Sequence, residues 1–524
     1  METETTFILL FVVATGVALA ARRLRIPYTV ALVLAGLLLG GLNLIPAPEL
    51  TKNLLFAVFL PGLVFEAAFH IDTREFRANL MTILSLAVPG VIVSTALVAF
   101  VLPSVLGILG LGVGFDWKVG LVFGALISAT DPVAVVALFR TLCAPRRLTL
   151  LLDGESLLND GTAIVFFTLS LTLLSGTKTT AAQLALQFFS IVGVGALVGS
   201  TIGTAVALLT RKIDDPMIEI TLTTIAAYGS FVTAQTLNAS GVIATVAAGM
   251  LCGNFGSRGG GMSASTRVAA ETFWEYVVFA LNSIVFLLVG FEVRISGLLA
   301  EWLPILTAYL VVTVGRAIMI TAGQGLIGLS RERFPRAWTV VLTWGGLRGA
   351  LPMVLVLSLP EKFPSRDLLV SMTFGVALLS ILLQGLTMSG VLRWLGIGAE
   401  AADHAEYELR NGRLQAAAAA LRELDRLAGE RALNPSTIEV LRDDYRKRVG
   451  MAEKELRSLT LSSQELQRNA LRGARRRLLD IERDQVVHSF HQGALSREAQ
   501  QKLLADIDAR ALDADASDSA GGTG

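Results

Sequence analysis

The sequence predicts an all-α polytopic membrane protein of about thirteen transmembrane helices, followed by an α-helical tail. Three observations carry this. The 524 residues are 53% hydrophobic, with a mean hydropathy of +0.63. Charged residues make up 17% of the chain, against about 25% in soluble proteins. They are also unevenly placed: residues 400–524 hold 20 Lys/Arg and 22 Asp/Glu, and the first 399 hold only 45 charged residues. The predicted organisation is a transmembrane domain over 1–398, a cytoplasmic helical tail over 399–510 and a disordered terminus over 511–524.

A membrane span needs about 20 mainly apolar residues. Thirteen segments qualify: 4–21, 26–43, 50–70, 80–104, 116–140, 148–175, 184–210, 216–237, 238–254, 270–291, 301–328, 337–359 and 367–395. The boundary around Asn238 is the weakest. Arg22, Arg23 and Arg25 follow the first apolar run, whereas a signal peptide carries its positive charges before it. The first segment therefore reads as an uncleaved span. Alternate loops hold 15 and 6 Lys/Arg. The richer set, which includes Arg22, Arg74, Arg146 and Arg211, is expected to be cytoplasmic. The N-terminus is then outside and the charged tail inside.

An odd span count permits two inverted six-helix repeats, spans 1–6 and 8–13, joined by span 7. In transporters built this way, ion sites lie where helices at corresponding positions are broken. The fifth member of the first set reads ISATDPVAVVALF, and that of the second reads TWGGLRGALPMVL. Pro132 and Pro352 each remove a backbone donor, and Gly345, Gly346 and Gly349 weaken the second helix further. Crossed broken helices are the expectation.

Ionisable groups at bilayer depth cost about 2.5–3.5 kcal/mol each even on the lenient insertion scale, and they mark function. The candidates are Glu66, Asp131, Glu155, Asp160, Arg316 and Arg348; Asp153 lies nearer the cytoplasmic end of its span. Span 6 begins LLDGESLLNDGTAIVFF. Ser156 and Asp160 are four apart and share a helix face; Glu155 and Asn159 share a neighbouring one. One stretch thus presents a hydroxyl, an amide and a carboxylate, the hard oxygen ligands a dehydrated small cation needs. A proton competes for the same carboxylate, because loss of water disfavours its charged form. Glu155 and Arg316 are expected to form a fixed salt bridge. Asp131 and Arg348 sit at the two breaks, where a carboxylate and a guanidinium can neutralise half-helix ends of opposite sign; direct ion binding is the other reading of Asp131. Glu66 is either a second ligand or a gate residue. His70, four residues on, is either an interfacial residue or a pH reporter.

These segments resemble the cation:proton antiporter superfamily, in its sodium/proton exchanger branch, over about residues 5–395. The strongest parts are SATDPVAVVALF (128–139), LLDGESLLNDGTAIVFF (151–167) and WGGLRGALPM (344–353). Weaker ones include LRIPYTVALVLAGLLLG (24–40), LPGLVFEAAF (60–69), SGVIATVAAGM (240–250) and FWEYVVFALNSIVFLLVG (273–290). The resemblance implies a thirteen-span homodimer with a dimerisation domain and a moving six-helix core. It implies that Asp160 is the essential carboxylate, binding Na+ with Ser156 and the backbone of Thr130, and that Glu66 completes or approaches the site. Asn159 before Asp160 is similar to the electroneutral branch, which exchanges one cation for one proton. Many relatives carry Ala-Glu where this chain has Ala234-Gln235, so any role of that glutamate is in question here.

The function these readings imply is Na+ (or Li+) exchange for H+ in a bacterial inner membrane, with no cofactor beyond the transported ions. A K+/H+ exchanger of the same fold stays open. An intramembrane hydrolase would need a nucleophile–base pair, and the membrane domain has one histidine, at a span end. A membrane sensor is a remoter reading, since the tail shows no nucleotide-binding motif. A net charge of +1 gives no global field for nucleic acid. Cys143 and Cys252 lack partners at metal-ligand spacing. The tail is rich in Ala, Leu, Arg and Glu, as in LQAAAAALRELDRLA (414–428), and holds His404, His488 and His491. It reads equally as a regulatory or a dimerising element, with no ligand specified.

Overall fold

The computed structural model describes residues 3–24, 26–42, 55–111, 114–142, 144–174, 180–211, 213, 215–255, 264–292, 295–327, 335–397, 399–429, 434–462, 478–479, 481–487, 489–490 and 494–520. Cys143, His488, His491 and several of the counted loop cations lie outside them. Every regular element among the described residues is helical. The chain separates into two compact units, Met1–Gly398 and Ala399–Gly524.

In the first unit, helices stand where apolar segments were expected: α1 (Thr3–Leu24), α2 (Tyr28–Gly41), α3 (Leu60–His70), the short α4 (Thr73–Ala78) and α5 (Leu80–Ile108). The fifth segment is two helices, α6 (Trp117–Ile127) and α7 (Val133–Thr141). Then come α8 (Arg146–Leu174), α9 (Ala181–Thr210), α10 (Pro216–Thr236), α11 (Gly241–Phe255), α12 (Ala264–Glu292), the short α13 (Ile295–Ala300) and α14 (Trp302–Ile327). The twelfth segment is again two helices, α15 (Arg336–Trp344) and α16 (Ala350–Leu357). The last is α17 (Arg366–Leu379), a π-helical turn (Ser380–Gly385) and α18 (Leu386–Trp394). Among the described residues, seven helices are long and apolar enough to cross a membrane, and four further apolar helices are shorter.

Side-chain caps set several of the helix starts. Asp116 accepts the Lys118 and Val119 N–H groups at the head of α6, Asp215 does so for Met217 and Ile218 at α10, and Thr180 with Gln183 closes a capping box at α9.

Packing divides the helices into two groups. One joins α5, α6, α8, α14 and α17, together with the two broken pairs. The other joins α1, α2, α3, α9, α10, α11 and α12. Small residues set the second group's close contacts: a Cβ at Gly199 would fall on the Ala244 carbonyl, and one at Gly36 on the backbone of α12 at Leu287 and Gly290. Without a hydrophobic drive between helices in lipid, such close approach supplies the packing.

The second unit contains α19 (Ala399–Gly429), α20 (Pro435–Ser462) and α21 (Arg497–Ala520). Arg410 donates to the Glu455 carbonyl and Arg442 to Asp425, so α19 and α20 run antiparallel. The helix α21 continues to Ala520, into the stretch expected to be disordered.

Candidate functional site

The two breaks are built differently and meet. At the first, α6 ends at Ser128, whose hydroxyl turns back to the Ala125 carbonyl at 2.7 Å. Pro132 has no N–H, and the Asp131 carboxylate accepts the Val133 N–H at 3.0 Å to start α7. At the second, Gly345-Gly346-Leu347-Arg348-Gly349 separates α15 from α16. The Asp131 N–H donates to the Leu347 carbonyl at 2.8 Å. In return, the Arg348 guanidinium donates from Nη1 to the Ser128 and Ala129 carbonyls at 2.9 and 3.3 Å. A Cβ on Gly349 would fall on the Asp131 side chain, so only glycine lets the breaks come this close.

Arg348 is thus placed at the carbonyl end of α6, where the helix dipole is negative. Arg316 serves the carbonyl end of α15 in the same way, with Nε donating to Leu342 O at 3.0 Å. It also forms the pair expected with Glu155, two parallel N–H···O bonds at 2.8 and 3.0 Å. Both side chains are almost fully buried. Asp131, in contrast, does not meet an arginine side chain among the described contacts. Its carboxylate lies at the N-terminal ends of α7 and α16, against the Val133 N–H and beside Gly349.

Asp160 lies on α8, one turn after Ser156, and lines the same cavity as Thr130 and Asp131. Ser156 donates its hydroxyl to the Thr130 carbonyl. That bond uses the only Ser156 proton and leaves a lone pair for a cation. Asp160, Ser156, Thr130 and Asp131 line one cavity of about 1450 Å³ between the two helix groups. Glu66 lines it too, from α3, with its carboxylate 3.2 Å from His70 Nδ1. Asn159 points elsewhere: its amide nitrogen faces Glu155 Oε1 at 3.3 Å and Thr130 Oγ1 at 3.4 Å. A step of one residue turns a side chain by about 100° on a helix, which separates Asn159 from Asp160.

The cavity's outer part is lined by Arg22, Asp72, Glu75, Arg146 and Glu275. All but Glu275 come from the arginine-rich connections or the helix ends beside them, and Glu275 lies in the first half of α12, which such a connection precedes.

Sequence reasoning passed over two features. Glu219, in the first turn of α10, is fully buried. Ser380, also buried, accepts the Arg348 N–H at 3.0 Å. A serine in an apolar helix gives no signal of such a contact.

Comparison with known proteins follows the same line. The profile of the family described as sodium/hydrogen exchanger, transmembrane, matches residues 7–394. The Na+/H+ antiporter ApNhaP of Aphanothece halophytica is 34% identical over 503 residues, covering 94% of this chain and 95% of that protein. The Na+/H+ antiporter NhaG of Bacillus atrophaeus is 32% identical, with 85% of each chain covered. The solved structure of the sodium proton antiporter MjNhaP1 from Methanocaldococcus jannaschii at pH 8 superposes with a TM-score of 0.62 at 20% identity, covering 76% of this chain and all of that one. It shows the shared fold. The 503 residues aligned with ApNhaP exceed the 398 of the first unit, so that likeness runs into the tail.

Proposed function

The chain belongs to the sodium/hydrogen exchanger family, and from that membership we propose that it is a secondary antiporter exchanging Na+ for H+ across the membrane by alternating access. The observation that carries this is Asp160: a carboxylate deep in an apolar domain, at the end of a cavity, beside a hydroxyl and a broken helix. Asp160, Ser156 and the Thr130 backbone supply oxygen ligands for one dehydrated Na+. A proton on Asp160 excludes the cation, and the cation excludes the proton. Exchange needs only that the loaded and the protonated site both cross, and that the empty charged site does not.

The group containing both breaks carries the site, and the group containing α2, α3 and α12 is the scaffold against which it moves. The cavity's outer lining comes mainly from the Arg-rich loop side, which the charge asymmetry assigns to the cytoplasm. The arrangement is therefore the inward-facing one. A dimer through the scaffold group, thirteen crossings, an external N-terminus and an electroneutral 1:1 exchange complete the reading. The test is proteoliposomes with a pH-sensitive dye, pulsed with Na+, Li+ or K+. Na+ and Li+ should release protons, and K+ should not. A K+ response equal to that of Na+ would replace the substrate assignment, and no response to any of the three would overturn exchange.

A further inference from the structure

We propose that Ser380 is a positioning residue for the cation site, acting through the single peptide group between Leu347 and Arg348. This rests on the reading above, in which Thr130 supplies backbone to the cation. The carbonyl of that peptide group accepts the Asp131 N–H at 2.8 Å. Its N–H donates to Ser380 Oγ at 3.0 Å. A peptide group is planar, so the direction of its N–H fixes the direction of its C=O. Ser380 therefore sets where the acceptor for Asp131 points, and Asp131 adjoins Thr130 in the chain.

Three further features support this. The Ser380 hydroxyl donates its own proton to the Ala377 carbonyl at 2.8 Å, so its lone pairs face the Arg348 N–H rather than competing for it. Ser380 is 2% exposed, and no water replaces it cheaply there. It also begins the π-helical turn Ser380–Gly385. Single π turns cost helix stability and cluster at functional sites; this one starts where the last span meets the second break. Arg348 adds a second link from the same residue, since its guanidinium holds the Ser128 and Ala129 carbonyls just before Thr130. Ser380 thus secures the second break, and three hydrogen bonds carry that order to the first.

The test uses the full chain in proteoliposomes. Ser380→Ala should raise the KM for Na+ about fivefold, the effect of one net hydrogen bond, with maximal rate per folded protein retained. A purely structural role would lower the amount of active protein and leave KM alone. Ser380→Cys keeps the size and weakens the acceptor; it should shift KM the same way by less, and it decides the matter where the alanine variant does not fold. Ser156→Ala also perturbs Thr130, so combining it with Ser380→Ala should raise KM by less than the product of the single effects. A parent-like KM in the Ser380 variants, or effects that simply multiply, overturns the proposal. Asp160→Asn in the same vesicles tests the underlying reading separately: if it still exchanges Na+ for protons, the cation site itself is misplaced.

Discussion

Glu155 and Arg316 lie 161 residues apart in the chain and meet through two parallel N–H···O bonds inside the membrane domain. Breaking one partner leaves the other charged and buried, at a cost of about 3–5 kcal/mol. Glu155→Gln or Arg316→Met should therefore lower the melting temperature strongly, with less effect on the KM for Na+ of the protein that remains. The double variant should recover only part of the loss. Arg316 Nε also satisfies the Leu342 carbonyl, which no apolar replacement can do. Single variants that melt like the parent would show the pair to be dispensable.

Gly346→Ala should reproduce the Arg316 defect without touching either charge. A Cβ there would collide with the Arg316 guanidinium, and the close atoms belong to a side chain fixed at three points. Gly349→Ala pushes on Asp131 instead and should impair transport more than melting. Thermal unfolding and Na+-driven proton flux, measured on both variants, separate the two effects. Equal loss of both quantities in both variants would contradict this division.

Much of this site was legible because the membrane makes charge expensive. Asp131, Glu155, Asp160, Arg316 and Arg348 stand out in apolar runs, and Pro132 with the 345–349 glycines marks the breaks. What the sequence could not give is direction. Arg348 was expected to neutralise a half-helix end, but which carbonyls its guanidinium meets, those of Ser128 and Ala129, was not readable. Backbone acceptors freed by a helix break have no sequence signature of their own. Arg316 was expected to pair only with Glu155, and its hold on Leu342 was invisible for the same reason. Ser380 and the π turn depend on register between two distant spans. Asn159, expected to share a face with Glu155, faces Glu155 Oε1 and also Thr130 Oγ1 beside the proposed cation site.

Asp160→Asn should abolish exchange while leaving a folded protein. The amide keeps the shape and cannot trade a proton for a cation. If proton and Na+ compete for this one carboxylate, as proposed, acidifying the cavity side should raise the apparent KM for Na+ and leave the maximal rate unchanged. The check is Na+ titration at several pH values. A maximal rate that falls with a constant KM would place the proton on another group.

Exchange should be electroneutral. If Asp160 alternates between one proton and one monovalent cation, each half-cycle moves the same net charge. Asn159 cannot ionise and supplies no second proton. Glu155 is held in an ion pair by Arg316. Asp131 is less constrained than its position at a break suggested, because its carboxylate meets the Val133 N–H rather than a guanidinium. It sits at the N-terminal ends of two half-helices, beside Gly349. Glu66 faces the same cavity and lies beside His70, which makes it a candidate for a second titrating group. The measurement is Na+-driven proton flux at its reversal point, with a potassium–valinomycin potential imposed. Electroneutral exchange reverses at the same Na+ gradient whatever the voltage. A reversal point that moves with voltage means more than one proton per cation, and comparing Glu66→Gln with Asp131→Asn would then show which carboxylate carries the second.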